Sequence, residues 1–67
     1  MPFIALEVGQ ATKEQKQQLI SGVTKVASDA LGIEPRHFIV LIKENGLDNW
    51  GVGGEMLSDR YAKNADR

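Results

Sequence analysis

The sequence contains no cysteine and a single histidine, His37. No disulfide can brace the fold, and no Cys/His zinc site can be assembled. Charge of one sign is missing too: eight Lys and Arg stand against nine Asp and Glu, a formal net charge of −1. That balance argues against a nucleic-acid or membrane-surface partner. The longest apolar run, residues 38–42, is only five residues long, far short of the roughly 20 that cross a bilayer. The first residues lack the basic-then-apolar pattern of a secretion signal. A soluble cytoplasmic protein without metal or cofactor is the expectation. The chain is also short. Its 67 residues allow one domain, residues 1–67, and such a domain buries only about 60% of the surface its unfolded chain exposes. With disulfides and metals excluded, subunit association is left as the source of the missing stability.

What is present reads as a simple layout. Residues 2–8 are apolar at both alternating parities except Glu7, the pattern of a strand covered on both faces. Thr12, followed three residues later by Gln15, is a capping-box signature for a helix start. Leu19, Ile20, Val23, Val26, Ala27, Ala30 and Leu31 then recur at spacings of three and four, which predicts an amphipathic helix over 13–31. Gly22 inside it costs about 1 kcal/mol relative to alanine and suggests that a neighbouring backbone comes close. Gly32 and Pro35 end the helix. Residues 38–43 predict a second strand, apolar on both parities until its end. Gly51, Gly53 and Gly54 around Trp50 predict a sharp bend, hairpin or turn. Residues 56–61 are open between a helical turn and a short strand, and 62–67 read as a frayed polar tail.

A helix of this length between two strands forbids a tight hairpin, so the strands are parallel neighbours joined by a right-handed crossover. One helix covers one face of a two-stranded sheet, whereas both strands are apolar on both faces. Cover for the second face must come from other copies or a partner. The expected fold is therefore α+β: a βαβ unit with two parallel strands and one long helix, plus a short C-terminal hairpin or turn, completed by oligomerisation.

Few residues carry chemistry. Asp48, Glu44 and Glu55 fall in turn-rich segments where solvated carboxylates are ordinary, and the glycines after Trp50 lack the Lys-Ser/Thr of a phosphate-binding loop. Trp50 suits an interface anchor or a pocket wall. His37 has no partner at a telling spacing. Pro2 is the unusual residue. A small second residue favours removal of Met1, which leaves a secondary amine on a rigid ring. Burial or nearby cations would lower its pKa from the ordinary α-amino range of about 7.7–8.0, leaving it partly neutral near pH 7, as a general base requires. By spacing alone, the commoner explanation is a proline that starts a strand without an amide proton to satisfy.

Pro2 after Met1, Thr12-Lys13-Glu14-Gln15-Lys16, Val40-Leu41-Ile42-Lys43-Glu44 and Trp50-Gly51-Val52-Gly53-Gly54-Glu55 together resemble the 4-oxalocrotonate tautomerase family of small βαβ enzymes. The resemblance covers about residues 2–58. It implies a tautomerase-like fold assembled as a trimer of dimers, with Pro2 as a general base that moves a proton in enol–keto or double-bond isomerisation. Trp50 matches a phenylalanine that lines the active site from a neighbouring subunit. Two family arginines that bind substrate carboxylate have no counterpart: one position holds Gln10-Ala11, the other Ile39. Because parallel strands start at the same end of the sheet, Arg36 and His37 are expected beside Pro2. Arg36 is the first candidate to bind an anion, whereas Lys43 lies roughly 13 Å beyond position 39. The expected function is a cofactor-free isomerase acting on a small unsaturated 2-hydroxy or 2-oxo acid, with Pro2 catalytic and Trp50, Arg36 and His37 binding substrate. A hydratase or dehalogenase using Pro2, and a non-catalytic oligomeric scaffold, are the alternatives.

Overall fold

Local signals around Thr12 organise the first half of the molecule. The Thr12 hydroxyl accepts from the Gln15 amide at 3.1 Å, and the Gln15 side chain accepts from the Thr12 amide at 2.9 Å. This reciprocal pair satisfies two N–H groups that a helix start leaves unpaired. The helix it opens, α1, spans Lys13–Leu31 and ends at Gly32, whose φ of 68° is the left-handed conformation that favours glycine. The computed structural model describes residues 2–65. Around α1 are strand β1 (Phe3–Val8), a short turn of 3-10 helix (Pro35–His37) and strand β2 (Ile39–Glu44). A second 3-10 turn (Leu47–Asn49), strands β3 (Gly51–Val52) and β4 (Glu55–Met56), and helix α2 (Leu57–Ala65) follow.

Strands β1 and β2 pair in parallel from Phe3↔Ile39 to Val8↔Glu44. The ladder extends at both ends, from the Ile39 amide to the Pro2 carbonyl (3.1 Å) and from the Asn45 amide to the Val8 carbonyl (2.8 Å). Strands β3 and β4 form a separate antiparallel hairpin. Its two-residue loop, Gly53 and Gly54, has φ of 62° and 82°, the paired positive values of a type I′ turn. The hairpin is the bend expected around Trp50. Residues 57–65, by contrast, continue as helix α2 where a frayed tail was expected from position 62; residues 66 and 67, the rest of that tail, lie outside the described residues, as does Met1.

Alternation along the strands sorts their side chains onto two faces. Ile4, Leu6, Val8, Val40 and Ile42 are half-covered on the α1 side, as are Leu19, Val23 and Ala27 of the helix, which share a groove with Ile4. Phe3, Ala5, Ile39 and Leu41 form the opposite face and are exposed, Phe3 at 60% and Leu41 at 44%. On α1, Val26 and Leu31 are exposed at 70% and 60%. No described residue is fully buried. The radius of gyration is 15.7 Å, against about 11 Å for a compact domain of this length. The accessible surface is 5329 Å², against about 4,200 Å² for a folded monomer of this mass. The apolar stripe of α1 is thus wider than its own sheet can cover. At Gly22 no described residue comes within 4 Å of where its Cβ would stand, so a backbone that approaches there is not one of this chain's described segments.

One polar clamp joins α1 to the sheet. The Glu44 carboxylate, at the end of β2, accepts from the Ala11 amide at 3.2 Å and from the Lys16 ammonium. The Lys16 bond first, and the Ala11 bond second, hold its pKa below the usual glutamate value, because both donors favour the charged carboxylate. A carboxyl whose folded pKa is depressed stabilises fully above its unfolded value, about 4.3, and loses that contribution as pH falls through the folded value. Denaturation at fixed protein concentration is therefore expected to show wild type losing stability more steeply than Glu44→Gln below about pH 4.3. Thr12→Ala, which removes the helix cap, is expected to cost about 1 kcal/mol in the same measurement.

Candidate functional site

Pro2 sits half-covered at the leading end of β1, where the ladder bond to Ile39 places it beside the start of β2. Parallel pairing brings the Pro35–His37 turn to this same end. The turn is closed by the His37 amide on the Glu34 carbonyl (3.1 Å) and the Phe38 amide on the Pro35 carbonyl (3.0 Å). Arg36 and His37 are both exposed. The Arg36 Nε donates to Glu34 Oε2 at 2.9 Å, with both side chains largely in solvent. Such a pair is worth little and engages one of the guanidinium's five N–H donors. Pro2, Arg36 and His37 therefore share one end of the sheet.

Trp50 does not join them. Its indole Nε1 donates to the Asn45 carbonyl at 3.1 Å, just past the trailing end of β2. The Leu47–Asn49 turn leads into it, through the Asn49 amide on the Gly46 carbonyl (2.8 Å). The Leu57 amide returns to the Trp50 carbonyl at 2.9 Å, and the Ser58 hydroxyl donates to Asp48, so the hairpin and α2 fold back onto this turn. Six strand residues at 3.3 Å each separate the two ends of β1 by about 20 Å. A site containing both Pro2 and Trp50 therefore requires two chains.

A broad cleft lies at the Trp50 end. Its volume is about 770 Å³, and Glu7, Gln10, Leu47, Asp48, Trp50 and Tyr61 are among its walls. Sequence reasoning singled out only Trp50 of these six for a site. The other five come from β1, the connector after it, the second 3-10 turn and α2, and no short motif joins them. A second, almost wholly apolar groove of about 510 Å³ runs between α1 and β1, lined by Ile4, Leu19, Gly22, Val23 and Val26. Among the described residues no group of His, Cys, Asp or Glu is placed to hold a metal ion, and no helix is long and apolar enough to cross a membrane.

Comparison with known proteins agrees with this architecture. The family model described as tautomerase enzyme matches residues 2–60. The protein named probable tautomerase K2 from Dickeya dadantii (strain 3937) is 45% identical over 62 residues, spanning 90% of this chain and 92% of that protein. The crystal structure of DmpI from Helicobacter pylori superposes with a TM-score of 0.82 at 35% identity, covering 91% of this chain and 97% of the other. A structure from work on the 4-oxalocrotonate tautomerase isozymes of Methylibium petroleiphilum gives 0.80 at 31% identity, covering 85% and 94%. A half-covered proline at the head of a βαβ unit, matched almost from end to end in sequence and in fold, leads to one assignment: the chain belongs to the tautomerase family and is an isomerase.

Proposed function

We propose that this isomerase is a cofactor-independent cytoplasmic enzyme of one domain, residues 1–67, acting on a small unsaturated 2-hydroxy or 2-oxo acid. Its general base is the Pro2 nitrogen, freed by removal of Met1, and its active site is shared between copies of the chain. The observation that carries this is the placement of Pro2 and Trp50 at opposite ends of a strand with one unpaired edge. Among the described strands, β1 pairs only with β2, so its other edge leaves backbone N–H and C=O groups to be satisfied. A second β1 laid antiparallel along that edge makes a four-stranded sheet. It also sets Pro2 of one copy beside the Val8 end of the other, at the mouth of the cleft that Trp50 lines. The apolar groove beside β1 is covered in the same step, and Gly22, midway along α1, lets the second helix approach. Three such pairs, a trimer of dimers, would cover the sheet face of Phe3, Ile39 and Leu41.

The chemistry follows from a neutral secondary amine in an apolar setting. Pro2 removes the proton from the 2-hydroxyl group. The O–H electron pair becomes the C2 carbonyl π bond, and the displaced π pair moves along the conjugated chain to a carbon atom. That carbon takes the proton back from the Pro2 ammonium, so the amine is regenerated and no electrons are gained or lost. Arg36, with His37 beside it, binds the substrate carboxylate from the Pro2 end, while backbone amides share the enolate charge. Trp50 from the second copy keeps water from the amine and lowers its pKa by disfavouring the cation.

Pro2→Ala is expected to lower kcat/KM toward 2-hydroxyhexa-2,4-dienoate by about 10²- to 10⁴-fold, the usual share of a general base. The loss of dienol absorbance measures it, with mass spectrometry establishing that Met1 is gone. Wild-type kcat/KM should rise with pH as the amine sheds its proton, with an apparent pKa below about 7.7. Full activity in Pro2→Ala, or a Met1 retained by an active enzyme, contradicts the assignment.

A further inference from the structure

We infer that the site selects acids bearing a single carboxylate and an uncharged far end, and that Glu7 and Asp48 turn away substrates carrying a second carboxylate. The inference rests on the shared site proposed above. In that site a substrate held at the Pro2 end points its far end into the cleft of the second copy.

The walls of that cleft are specific in charge. Leu47, Trp50 and Leu57 supply an apolar lining, and Gln10 and Tyr61 add neutral polar groups. Among the described residues, Glu7 and Asp48 are its only charged side chains, and no lysine or arginine lines it. The cations of the adjoining strand and helix lie outside those walls. Lys16 is held by Glu44, and Lys43 stands directly across the ladder from Glu7, one cation opposite one anion. Asp48 accepts from the Ser58 hydroxyl, which orients the carboxylate without cancelling its charge. The Asn45 side-chain amide reaches Glu7 at 3.4 Å and is likewise neutral. A second carboxylate in the cleft would thus meet like charge and no cation among the described walls. At about 6 Å, with partial screening, one such repulsion costs on the order of 100-fold in binding.

The test compares two acids with the same conjugated skeleton, 2-hydroxyhexa-2,4-dienoate and 2-hydroxyhexa-2,4-dienedioate, which differ only in a methyl group or a carboxylate at C6. Wild-type enzyme is expected to favour the monoacid by about tenfold or more in kcat/KM. Asp48→Asn, which keeps the oxygen that accepts from Ser58, and separately Glu7→Gln, should each shift that ratio toward the diacid. Wild-type discrimination decides the matter even if a variant fails to fold. A diacid used as well as the monoacid, or a ratio that neither folded variant moves, overturns the selectivity and leaves the Pro2 reaction standing. Turnover of neither acid by a chain with a free Pro2 overturns both.

Discussion

A two-stranded sheet has two faces and two edges, and a single helix can cover only one of those faces. Everything else in this molecule follows from that shortage. Helix α1 half-covers Ile4, Leu6, Val40 and Ile42, while Phe3, Ile39 and Leu41 face outward with nothing of the same chain upon them. At roughly 25 cal/mol per Å², such apolar surface is too costly to leave in water across a whole sheet face. The open edge of β1 adds unpaired backbone groups to the same deficit. A second copy can meet both needs at once, because pairing along the edge also carries each chain's groove onto its neighbour.

The same geometry gives the proposed site its shared character. Pro2 and Trp50 stand at opposite ends of one strand, so a single chain carries the two halves of the constellation at separated places. In the proposed dimer, antiparallel pairing turns those two halves into two whole sites. Stability and catalysis then depend on the same contact, and weakening one weakens the other. The charges divide in the same way. Arg36 and His37 accompany the proline, and Glu7 and Asp48 accompany the tryptophan, so a bound acid would lie with its carboxylate toward the first pair and its apolar end toward the second.

How much of this was legible in the sequence depended on the range of each interaction. The α1 start was readable because Thr12 and Gln15 lie within one turn of each other. The parallel pairing of β1 with β2 was readable because the length of the helical crossover permits little else, and with it the position of Arg36 and His37 at the Pro2 end. The need for outside cover was readable from two strands apolar at both parities. Glu44 was not, since its partners Lys16 and Ala11 are 28 and 33 residues away and nothing local marks a turn carboxylate as a clamp. The first half of helix α2 was one of two open alternatives, and its second half was missed for a similar reason. Its polar composition resembles a tail, and it is secured by Leu57 and Ser58 returning to Trp50 and Asp48. Gly22 has no close neighbour among the described residues of its own chain, so one chain alone does not explain it. The acidic lining of the cleft was invisible, since Glu7 and Asp48 lie 41 residues apart in the sequence and come together only through the pairing of β1 with β2 and the turn that follows β2.

Subunit mixing tests the shared site most directly. Pro2→Ala and Trp50→Ala chains, each with little activity alone, are unfolded together, refolded as a mixture and assayed. If each site takes its proline from one chain and its tryptophan from another, random assortment at equal amounts restores about a quarter of wild-type activity. A mixture no more active than the average of its two components would contradict the account.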